Sequence, residues 1–471
     1  MLGRNYDRQM DSLENSTDFQ ALEPIVGSSG MVAWDALDSP QRERIRHAVA
    51  PDLQVHSVIA PNTPTELSAV LTCAQQNHWQ VLPCGAGSKL NWGGIVGGKD
   101  KGERQKDKGK RIKDKNTSSL IVVSTEKLNR LIDHAVGDLT VTVEAGMRFA
   151  ELQETLAKVG QFLAIDPAYP EQATIGGIVA TADTGSLRQR YNSVRDMLLG
   201  ISFVRADGQL AKAGGRVVKN VAGYDLMKLF TGSYGTLGII TQVTFRVYPI
   251  PEASQTVVLS GEEGAIAQAA ATLLGSALTP AAADLLSAST VEDLQIGQGT
   301  ALMVRFQSIP SSVQEQTQRL TEVGQTLGLA CSAWSNSDEI ALWQRLQEQM
   351  TAAHWEGLIT CKIGVRPSEA VTVLKQIEDL KVLGWLGQIH AASGLGRAVF
   401  DEATTVETLL KIRDLCQSNS GFLSILQAPT KLKQELDIWG YPGNALKLMQ
   451  TIKQQFDPES LLSPHRFVGG M

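Results

Sequence analysis

The sequence PCGAGSKLNWGG at residues 83–94 places four glycines within ten residues, directly after a short apolar strand pattern at 80–82. Glycines let a backbone approach a ligand closely, and consecutive exposed N–H groups can hold phosphate oxygens. The stretch matches neither familiar phosphate loop, because Leu90 replaces both the third glycine of a Rossmann fingerprint and the hydroxyl residue of a Walker A motif. On spacing alone, a glycine-rich structural turn remains an open alternative.

Two further glycine-rich blocks follow along the chain. The second block begins with Asp166-Pro167, continues with ATIGGIVAT at residues 173–181 and ends with TGS at 184–186. The third block combines KNVAGYD at 219–225 with GSYGTLGII at 232–240. Each block alone also fits a tight turn into a buried element, whereas the three blocks in this order form a specific pattern.

Together, the three blocks resemble the FAD-binding domain of the vanillyl-alcohol oxidase/p-cresol methylhydroxylase superfamily, over roughly residues 50–250. Within that superfamily they are most similar to the FAD-binding subunit of bacterial glycolate oxidase. The sequence FDPESLLSPHR at 456–466 resembles the family's C-terminal ending, but it departs at Ser463 and His465, where Asn and Gly are usual. The resemblance implies an FAD-dependent oxidoreductase.

The fold implied is of the α+β class, a two-part PCMH-type FAD-binding domain followed by a smaller α+β (ferredoxin-like) cap domain. Residues 1–50 form a lead-in and 51–250 the FAD-binding domain. Residues 251–438 form the cap, or substrate, domain, where helical runs alternate with short strand patterns. Residues 439–471 form a C-terminal segment that returns to the FAD-binding domain.

The resemblance assigns FAD contacts to residues of all three blocks. In the first block, the backbone N–H groups of Gly85, Ala86, Gly87 and Ser88 would surround the pyrophosphate. Leu90 and Trp92 would continue the loop near the cofactor, and Pro83 and Lys89 are further predicted cofactor-binding residues. Residues predicted to line the flavin and its ribityl chain are Pro167, Thr174, Ile175, Gly176, Gly177, Thr181 and Gly185. Ile240, just past Gly235, would contact the adenine side through its backbone.

FAD is predicted to be bound without a covalent link. Superfamily members that attach FAD through the first loop carry a histidine there, and Gly87 stands at the corresponding position. Neither Ser88 nor Lys89 supplies an imidazole.

The sequence indicates the catalytic residues less clearly than it indicates the cofactor-binding loops. Oxidation of a 2-hydroxy acid needs a base for the hydroxyl proton and a cation for the carboxylate. His390, in the sequence HAASG at 390–394, is the predicted catalytic residue; related dehydrogenases have a His-Ala-Gly-Asp-Gly-like segment there, and the Asp is absent here. Arg397 and Arg466 are candidate carboxylate binders. A purely structural role is the alternative for all three, and no cluster indicates a metal.

The predicted function is therefore oxidation of a small 2-hydroxy acid, such as glycolate or D-lactate, by a glycolate oxidase/dehydrogenase-type subunit. The alternative is a non-catalytic FAD-binding subunit with an electron-relay or assembly role, which the departures at 390–394 and 463–465 favour. A protein that has lost FAD is a third possibility. Further electron transfer would need a second flavoprotein subunit and an iron–sulfur subunit, because the five cysteines form no iron–sulfur array.

Charge and hydropathy indicate which partners and which cellular location to expect. The formal net charge of −6 gives no reason to expect a nucleic-acid partner. No stretch reaches the roughly 18 apolar residues of a membrane helix, so we expect a cytoplasmic protein without direct membrane insertion, associated with membranes only through partners. Residues 99–115 hold nine Lys or Arg against four Asp or Glu, which predicts a mobile basic insertion; a site for an acidic partner is the alternative.

Overall fold

The computed structural model describes residues 19–98, 119–216, 223–351 and 357–471. The predicted basic insertion at 99–115 and residues 219–222 of the third glycine-rich block lie outside these ranges. The described chain contains both helices and sheets, in agreement with the predicted α+β class. None of its helices is long and apolar enough to cross a bilayer.

The first part of the fold is a four-stranded sheet. Its elements are α1 (Glu23–Val26), β1 (Met31–Ala33), α2 (Ser39–Arg46), β2 (Val55–Ile59), α3 (Pro64–Gln76), β3 (Gln80–Cys84) and β4 (Leu120–Ser124). The strand order is β1-β2-β4-β3, with β2, β4 and β3 parallel. Thr63 caps the N-terminus of α3, since its Oγ1 accepts a hydrogen bond from the Glu66 N–H. Its apolar face packs into the core of this sheet.

The second part is a five-stranded antiparallel sheet with strand order β5-β6-β10-β8-β9. The elements of this part are β5 (Leu131–Ala135), β6 (Thr140–Glu144), α4 (Phe149–Ala157), β7 (Gln161–Phe162), α5 (Ile175–Thr181), α6 (Arg188–Tyr191), α7 (Val194–Met197), β8 (Leu198–Val204), β9 (Leu210–Gly214), α8 (Leu226–Phe230), β10 (Ile239–Arg246) and β11 (Tyr248–Pro249). Strands β7 and β11 pair with each other in a separate two-stranded sheet. Asp207-Gly208, a dipeptide typical of tight hairpins, forms the turn between β8 and β9, and Gly208 adopts a φ of 78°.

An eight-stranded antiparallel sheet forms the third part. Its elements are β12 (Ala253–Gly261), α9 (Glu263–Gly275), β13 (Ala282–Leu286), α10 (Ala288–Leu294), β14 (Thr300–Ser308), α11 (Pro310–Thr326), β15 (Ala330–Ser335), α12 (Asn336–Thr351), β16 (Ile359–Gly364), α13 (Ala370–Asp379), β17 (Leu386–His390), β18 (Leu395–Phe400), α14 (Val406–Ser418) and β19 (Phe422–Gln427). The strand order is β15-β12-β14-β13-β17-β18-β16-β19, and β13 and β17 join its two halves. Helices and strands expected from the periodicity after residue 253 are present at closely matching positions.

Helix α15 (Thr430–Glu435) precedes the C-terminal segment, which carries α16 (Leu446–Phe456) and then runs back along β3. The Val81 N–H donates to the Leu461 carbonyl at 2.8 Å, and the Ser463 N–H donates to the Val81 carbonyl at 2.9 Å. Buried Asp457 fixes the preceding turn by accepting the N–H groups of Leu461 and Leu462. The segment therefore reaches the strand that leads directly into the first glycine-rich block.

Candidate cofactor and substrate site

The first loop, residues 85–94, leaves β3 with its backbone donors free. The N–H groups of residues 86–89 have no partner among the described residues. Gly87 adopts a φ of 77°, a conformation that side chains disfavour. At Gly85, an added Cβ would lie 2.0 Å from Thr174 Oγ1, so only glycine fits. The loop thus presents adjacent free N–H donors, as a phosphate-binding backbone requires.

The second block lies against the first loop. Thr174 caps α5, with its Oγ1 accepting the Gly177 N–H at 3.4 Å. An added Cβ on Gly176 would lie 2.8 Å from the Ala145 Cβ, which shows how closely α5 packs on the end of β6. The small residues of α5 therefore let its backbone approach both the second sheet and the first loop.

The third block contributes a strained turn. Tyr234 and Gly235 have φ values of 54° and 75°, and the Tyr234 N–H donates to the Ala180 carbonyl at 2.8 Å. A positive φ at a bulky residue is uncommon outside functional sites and tight turns. The buried Ser233 hydroxyl next to it has no hydrogen-bond partner.

The three blocks enclose a cavity of about 730 Å³, named here the cofactor cavity. Thirteen of the predicted cofactor residues line it, namely Pro83, Gly85, Ala86, Gly87, Ser88, Lys89, Leu90, Thr174, Gly176, Gly177, Thr181, Gly235 and Ile240. Residues that line it without having been predicted are Cys84, Thr125, Ala180, Ser233, Tyr234, Gly238, Ile239 and Arg466.

Four predicted cofactor residues lie elsewhere. Ile175 is fully buried in the core of the second sheet, because the opposite face of α5, with Gly176, Gly177, Ala180 and Thr181, lines the cavity. Trp92 and Gly185 line two neighbouring cavities described below.

Pro167 lines neither the cofactor cavity nor its two neighbours; its carbonyl accepts a 2.7 Å hydrogen bond from Gln347 Nε2 of α12. It therefore joins the second block to the third part of the fold.

Arg466 closes the cofactor cavity from the C-terminal segment. Its Nη2 donates to the carbonyls of Leu90 at 2.7 Å and Trp92 at 3.1 Å, whereas its Nε and Nη1 have no partner. Burial lowers the pKa of the guanidinium to about 10, so it is cationic at neutral pH. The structure thus places Arg466 against the first loop, although its sequence assignment was that of a carboxylate binder.

These features fit a bound FAD. A cluster of free backbone donors, an unpaired buried hydroxyl and a buried guanidinium with two unpaired nitrogens match the oxygens of a pyrophosphate. No histidine of the described residues lines the cavity, and burial raises the pKa of the lining Cys84 thiol to about 12. Non-covalent attachment stays a prediction.

A second cavity of about 400 Å³, named here the polar cavity, adjoins the first, and Thr181 and Tyr234 line both. Asp183 lies at its edge and binds Lys89 Nζ at 2.8 Å and Arg397 Nη2 at 2.5 Å. Burial alone would raise the pKa of Asp183, but the two cations hold it below the ordinary value. This buried charge network therefore connects the first loop to β18.

The polar cavity is rich in cations. Arg188, Lys362 and Arg397 all line it, and Arg188 Nε has no hydrogen-bond partner. Burial, reinforced by the charge of Arg188, lowers the pKa of Lys362 to about 8. Three cations face one buried carboxylate, Asp183, so the cavity can accept a further anion.

His390 lines the polar cavity from the end of β17, and its imidazole belongs to a buried network. Its Nδ1 lies 2.6 Å from Asp284 Oδ1. The other oxygen of Asp284 accepts hydrogen bonds from Ser186 Oγ at 2.5 Å and Gln388 Nε2 at 2.8 Å. Such a carboxylate fixes the orientation and tautomer of the ring, leaving Nε2 for chemistry.

Asp284 was not singled out from the sequence, yet a signal existed. It is the one acidic residue in the otherwise apolar run AAADLL at 281–286, and a buried strand carries a carboxylate only if it has partners. By contrast, the roles of Asp183 and Lys362 depend on contacts between distant segments, and their local sequence gives no such signal.

Asp166 supports the same region from the second block. Its carboxylate accepts the N–H groups of Gly185, Ser186 and Leu187, at distances from 2.7 to 3.3 Å. Burial raises its pKa to about 6, although His390 and the backbone donors oppose the rise. The turn that carries Ser186 is thereby held against Asp284.

Comparison with known proteins agrees with a bound FAD. Residues 108–214 match a family described as an FAD binding domain. The chain is 26% identical to the glycolate oxidase subunit GlcD of Bacillus subtilis, over 87% of this chain and 88% of that protein. It is 25% identical to the mitochondrial D-lactate dehydrogenase [cytochrome] of Arabidopsis thaliana, over 95% and 81%.

A shorter segment of the chain has higher identity to another relative. This segment is 39% identical to the glycolate oxidase subunit GlcE of Escherichia coli, over 26% of this chain and 36% of that protein. In fold, the chain resembles p-cresol methylhydroxylase with substrate bound, with a TM-score of 0.67 and 13% identity, covering 96% of both chains. Together with the cofactor cavity, these similarities show a chain with an FAD-binding domain that is similar in sequence to a glycolate oxidase subunit and a D-lactate dehydrogenase and shares the fold of p-cresol methylhydroxylase.

Proposed function

We propose that this protein oxidises a 2-hydroxy acid at the polar cavity, with glycolate and D-lactate as the simplest candidates. The observation that carries the proposal is the His390–Asp284 pair facing a cation-lined cavity that adjoins the cofactor cavity. The names of the relatives, a glycolate oxidase subunit and a D-lactate dehydrogenase, support this substrate class.

The carboxylate of the substrate would be held by the cations of the polar cavity. Arg397 has one nitrogen on Asp183 and lines the cavity, so its position is fixed before substrate arrives. Arg188 and Lys362 supply further positive charge. A guanidinium and an ammonium held in place bind a carboxylate with a defined orientation.

His390 would accept the proton of the C2 hydroxyl. Because Nδ1 is directed to Asp284, the free Nε2 is the nitrogen that can take a proton. The buried carboxylate of Asp284 then stabilises the imidazolium that forms. Bound FAD supplies the acceptor for the hydride that leaves C2. The first loop, Ser233 and Arg466 would hold the FAD pyrophosphate.

The three parts of the fold would divide this work as the sequence predicts. In the proposal, residues 51–250 hold FAD without a covalent link, 251–438 form the ferredoxin-like cap domain that carries His390, and 439–471 return to the first loop. Three points stay predictions: the lead-in at residues 1–50, a cytoplasmic location, and the two partners. The predicted partners are a second flavoprotein subunit and an iron–sulfur subunit.

A non-catalytic FAD-binding subunit is the second candidate. The 39% identity to a segment of GlcE, itself named as a subunit, favours this alternative. The two candidates differ in one respect, since only the first requires His390 to act on substrate.

The test is anaerobic mixing of the FAD-loaded protein with glycolate or D-lactate, followed by the loss of oxidised-flavin absorbance. We expect reduction by the wild type, and His390→Asn should slow it at least about 100-fold because a positioned base contributes 10²–10⁴-fold. His78→Asn, at an exposed histidine paired with Glu459, is the matched control. An unchanged rate in His390→Asn would exclude the base, and no reduction of the wild type would favour the non-catalytic subunit.

A further inference from the structure

We propose that a third cavity, beyond His390, binds the C2 substituent of the substrate, so that the preferred 2-hydroxy acid carries a large uncharged side chain. The inference rests on the proposed function and names the substrate class within it. The cavity, named here the outer chamber, has a volume of about 910 Å³, against about 400 Å³ for the polar cavity.

The outer chamber meets the polar cavity at the reacting groups. His390 and Arg397 line both cavities. A 2-hydroxy acid with its carboxylate on Arg397 and its hydroxyl at His390 therefore has its C2 carbon between them. The side chain on C2 of this substrate would then extend into the outer chamber.

One face of α12 forms a wall of the chamber. Ile340, Trp343, Gln347 and Met350 recur at helical spacing along that face, and all line the chamber. Met350 is buried, whereas Ile340 is 63% exposed, so the wall runs from the interior to the surface. The chamber therefore offers an apolar contact surface and an opening to solvent.

The wall is held in place by polar contacts at its back. Trp343 Nε1 donates to Thr256 Oγ1 at 2.8 Å, and the Arg305 guanidinium lies 5.3 Å from the centre of the indole ring. Arg305 is in turn paired with buried Glu339, at 2.9 Å. A fixed aromatic surface of this kind binds a flat or branched apolar group at little cost in conformational entropy.

The charges of the lining residues argue against a charged side chain. Arg305 is neutralised by Glu339, and Arg397 is paired with Asp183 on the carboxylate side. The remaining acidic group is Asp166, whose oxygens accept three backbone N–H groups. Arg397 is already used by the first carboxylate of the substrate, and Arg305 is held between Glu339 and the Trp343 ring. Among the described lining residues, no other arginine or lysine is left for a second carboxylate, so the chamber suits a monocarboxylate with a branched aliphatic or aromatic substituent.

Glycolate has only hydrogen as its C2 substituent, so the outer chamber would stay filled with water when glycolate is bound. Each buried methylene tightens binding by about fourfold, from about 0.8 kcal/mol of transfer free energy. The difference between a methyl group and a branched four-carbon substituent can therefore exceed tenfold in affinity.

The test measures dissociation constants by calorimetry for product-like 2-oxo acids, namely glyoxylate, pyruvate, 4-methyl-2-oxopentanoate, phenylpyruvate and 2-oxoglutarate. It also measures anaerobic flavin reduction by the corresponding 2-hydroxy acids. We expect 4-methyl-2-oxopentanoate and phenylpyruvate to bind at least tenfold more tightly than pyruvate, and 2-oxoglutarate to bind more weakly than either.

Gln344→Trp partly fills the chamber from its exposed rim. It should reduce the ratio of affinities between phenylpyruvate and pyruvate at least fivefold. Arg345→Trp, at the next position of α12 and outside the chamber lining, is the matched control and should leave that ratio unchanged.

The outcomes separate the two proposals. Affinities that agree within twofold across the series, tightest binding of 2-oxoglutarate, or equal ratios in the two variants would overturn the inference. Chain-length-dependent binding without reduction by any 2-hydroxy acid would support the chamber and refute the oxidation. Reduction that is fastest with glycolate, together with uniform affinities, would support the oxidation and refute the chamber.

Discussion

The cofactor cavity and the polar cavity share a wall but are built by opposite means. The first is made mainly by backbone, with glycines at 85, 87, 176, 177, 235 and 238 and a row of free N–H groups. The second is made by charged side chains from distant segments, with Arg188, Lys362, His390 and Arg397 around Asp183. A backbone site tolerates no added atoms, whereas a side-chain site can lose one group and keep its shape.

The largest expected effect comes from adding one methyl group to the backbone site. In Gly85→Ala, the new Cβ would lie 2.0 Å from Thr174 Oγ1, so the first loop must move away from α5. We expect FAD content to fall below about a tenth of the wild-type value, measured as the ratio of flavin to protein absorbance.

Gly137→Ala is the control for this substitution, since a Cβ there meets nothing within 4 Å. Full FAD content in Gly85→Ala would show that the first loop does not depend on close backbone contact.

The second prediction removes a charge from the side-chain site. In Arg397→Gln, Asp183 keeps its ion pair with Lys89, so the wall should stay intact. A hydrogen bond to a charged group contributes about 1.5–3 kcal/mol, so 2-oxo acid affinity should fall roughly 10- to 100-fold. Calorimetry gives the affinity, and absorbance should show unchanged FAD content.

The matched variant is Arg190→Gln, at an exposed arginine that bonds the Thr279 carbonyl. If Arg397→Gln lost FAD while keeping its affinity for 2-oxo acids, the division between the two cavities would be wrong.

The smallest effect concerns pH. The pKa of Lys362 is lowered to about 8, so its cation is present below pH 8 and is lost as the pH rises above that value. Carboxylate affinity should therefore fall roughly fivefold between pH 7 and pH 9.

Lys362→Arg should flatten this profile, because the guanidinium stays charged throughout that range. A profile that keeps its slope in Lys362→Arg would assign the pH dependence to another group.

The same contrast explains what the sequence could predict. Glycine spacing is a local property, so the first loop, the paired glycines after Thr174 and the glycines before Ile240 were visible as patterns. Ile175 was nevertheless included among the cofactor residues, because the pattern gave the helix without the face that it turns to the cavity. Neighbouring residues of α5 lie on opposite faces of the helix: Ile175 faces the core, whereas Gly176 and Gly177 line the cofactor cavity.

Only some residues of the polar cavity could be predicted from the sequence. His390 and Arg397 were proposed, but Asp183 and Lys362 come together through contacts between sequence segments about 180 residues apart. Arg466 was assigned to a carboxylate because an arginine's local sequence does not show which carbonyls it will meet. Its partners at Leu90 and Trp92 depend on the path of the whole C-terminal segment along β3.

That path has a consequence for how the protein is made. Arg466 donates to the carbonyl of Leu90, which lies 376 residues earlier in the chain. A nascent chain on the ribosome therefore has the first loop long before it has the side chain that holds the loop. Contacts of such high sequence separation close late in folding. We therefore expect FAD to be captured only after the C-terminal segment has been made and has packed along β3.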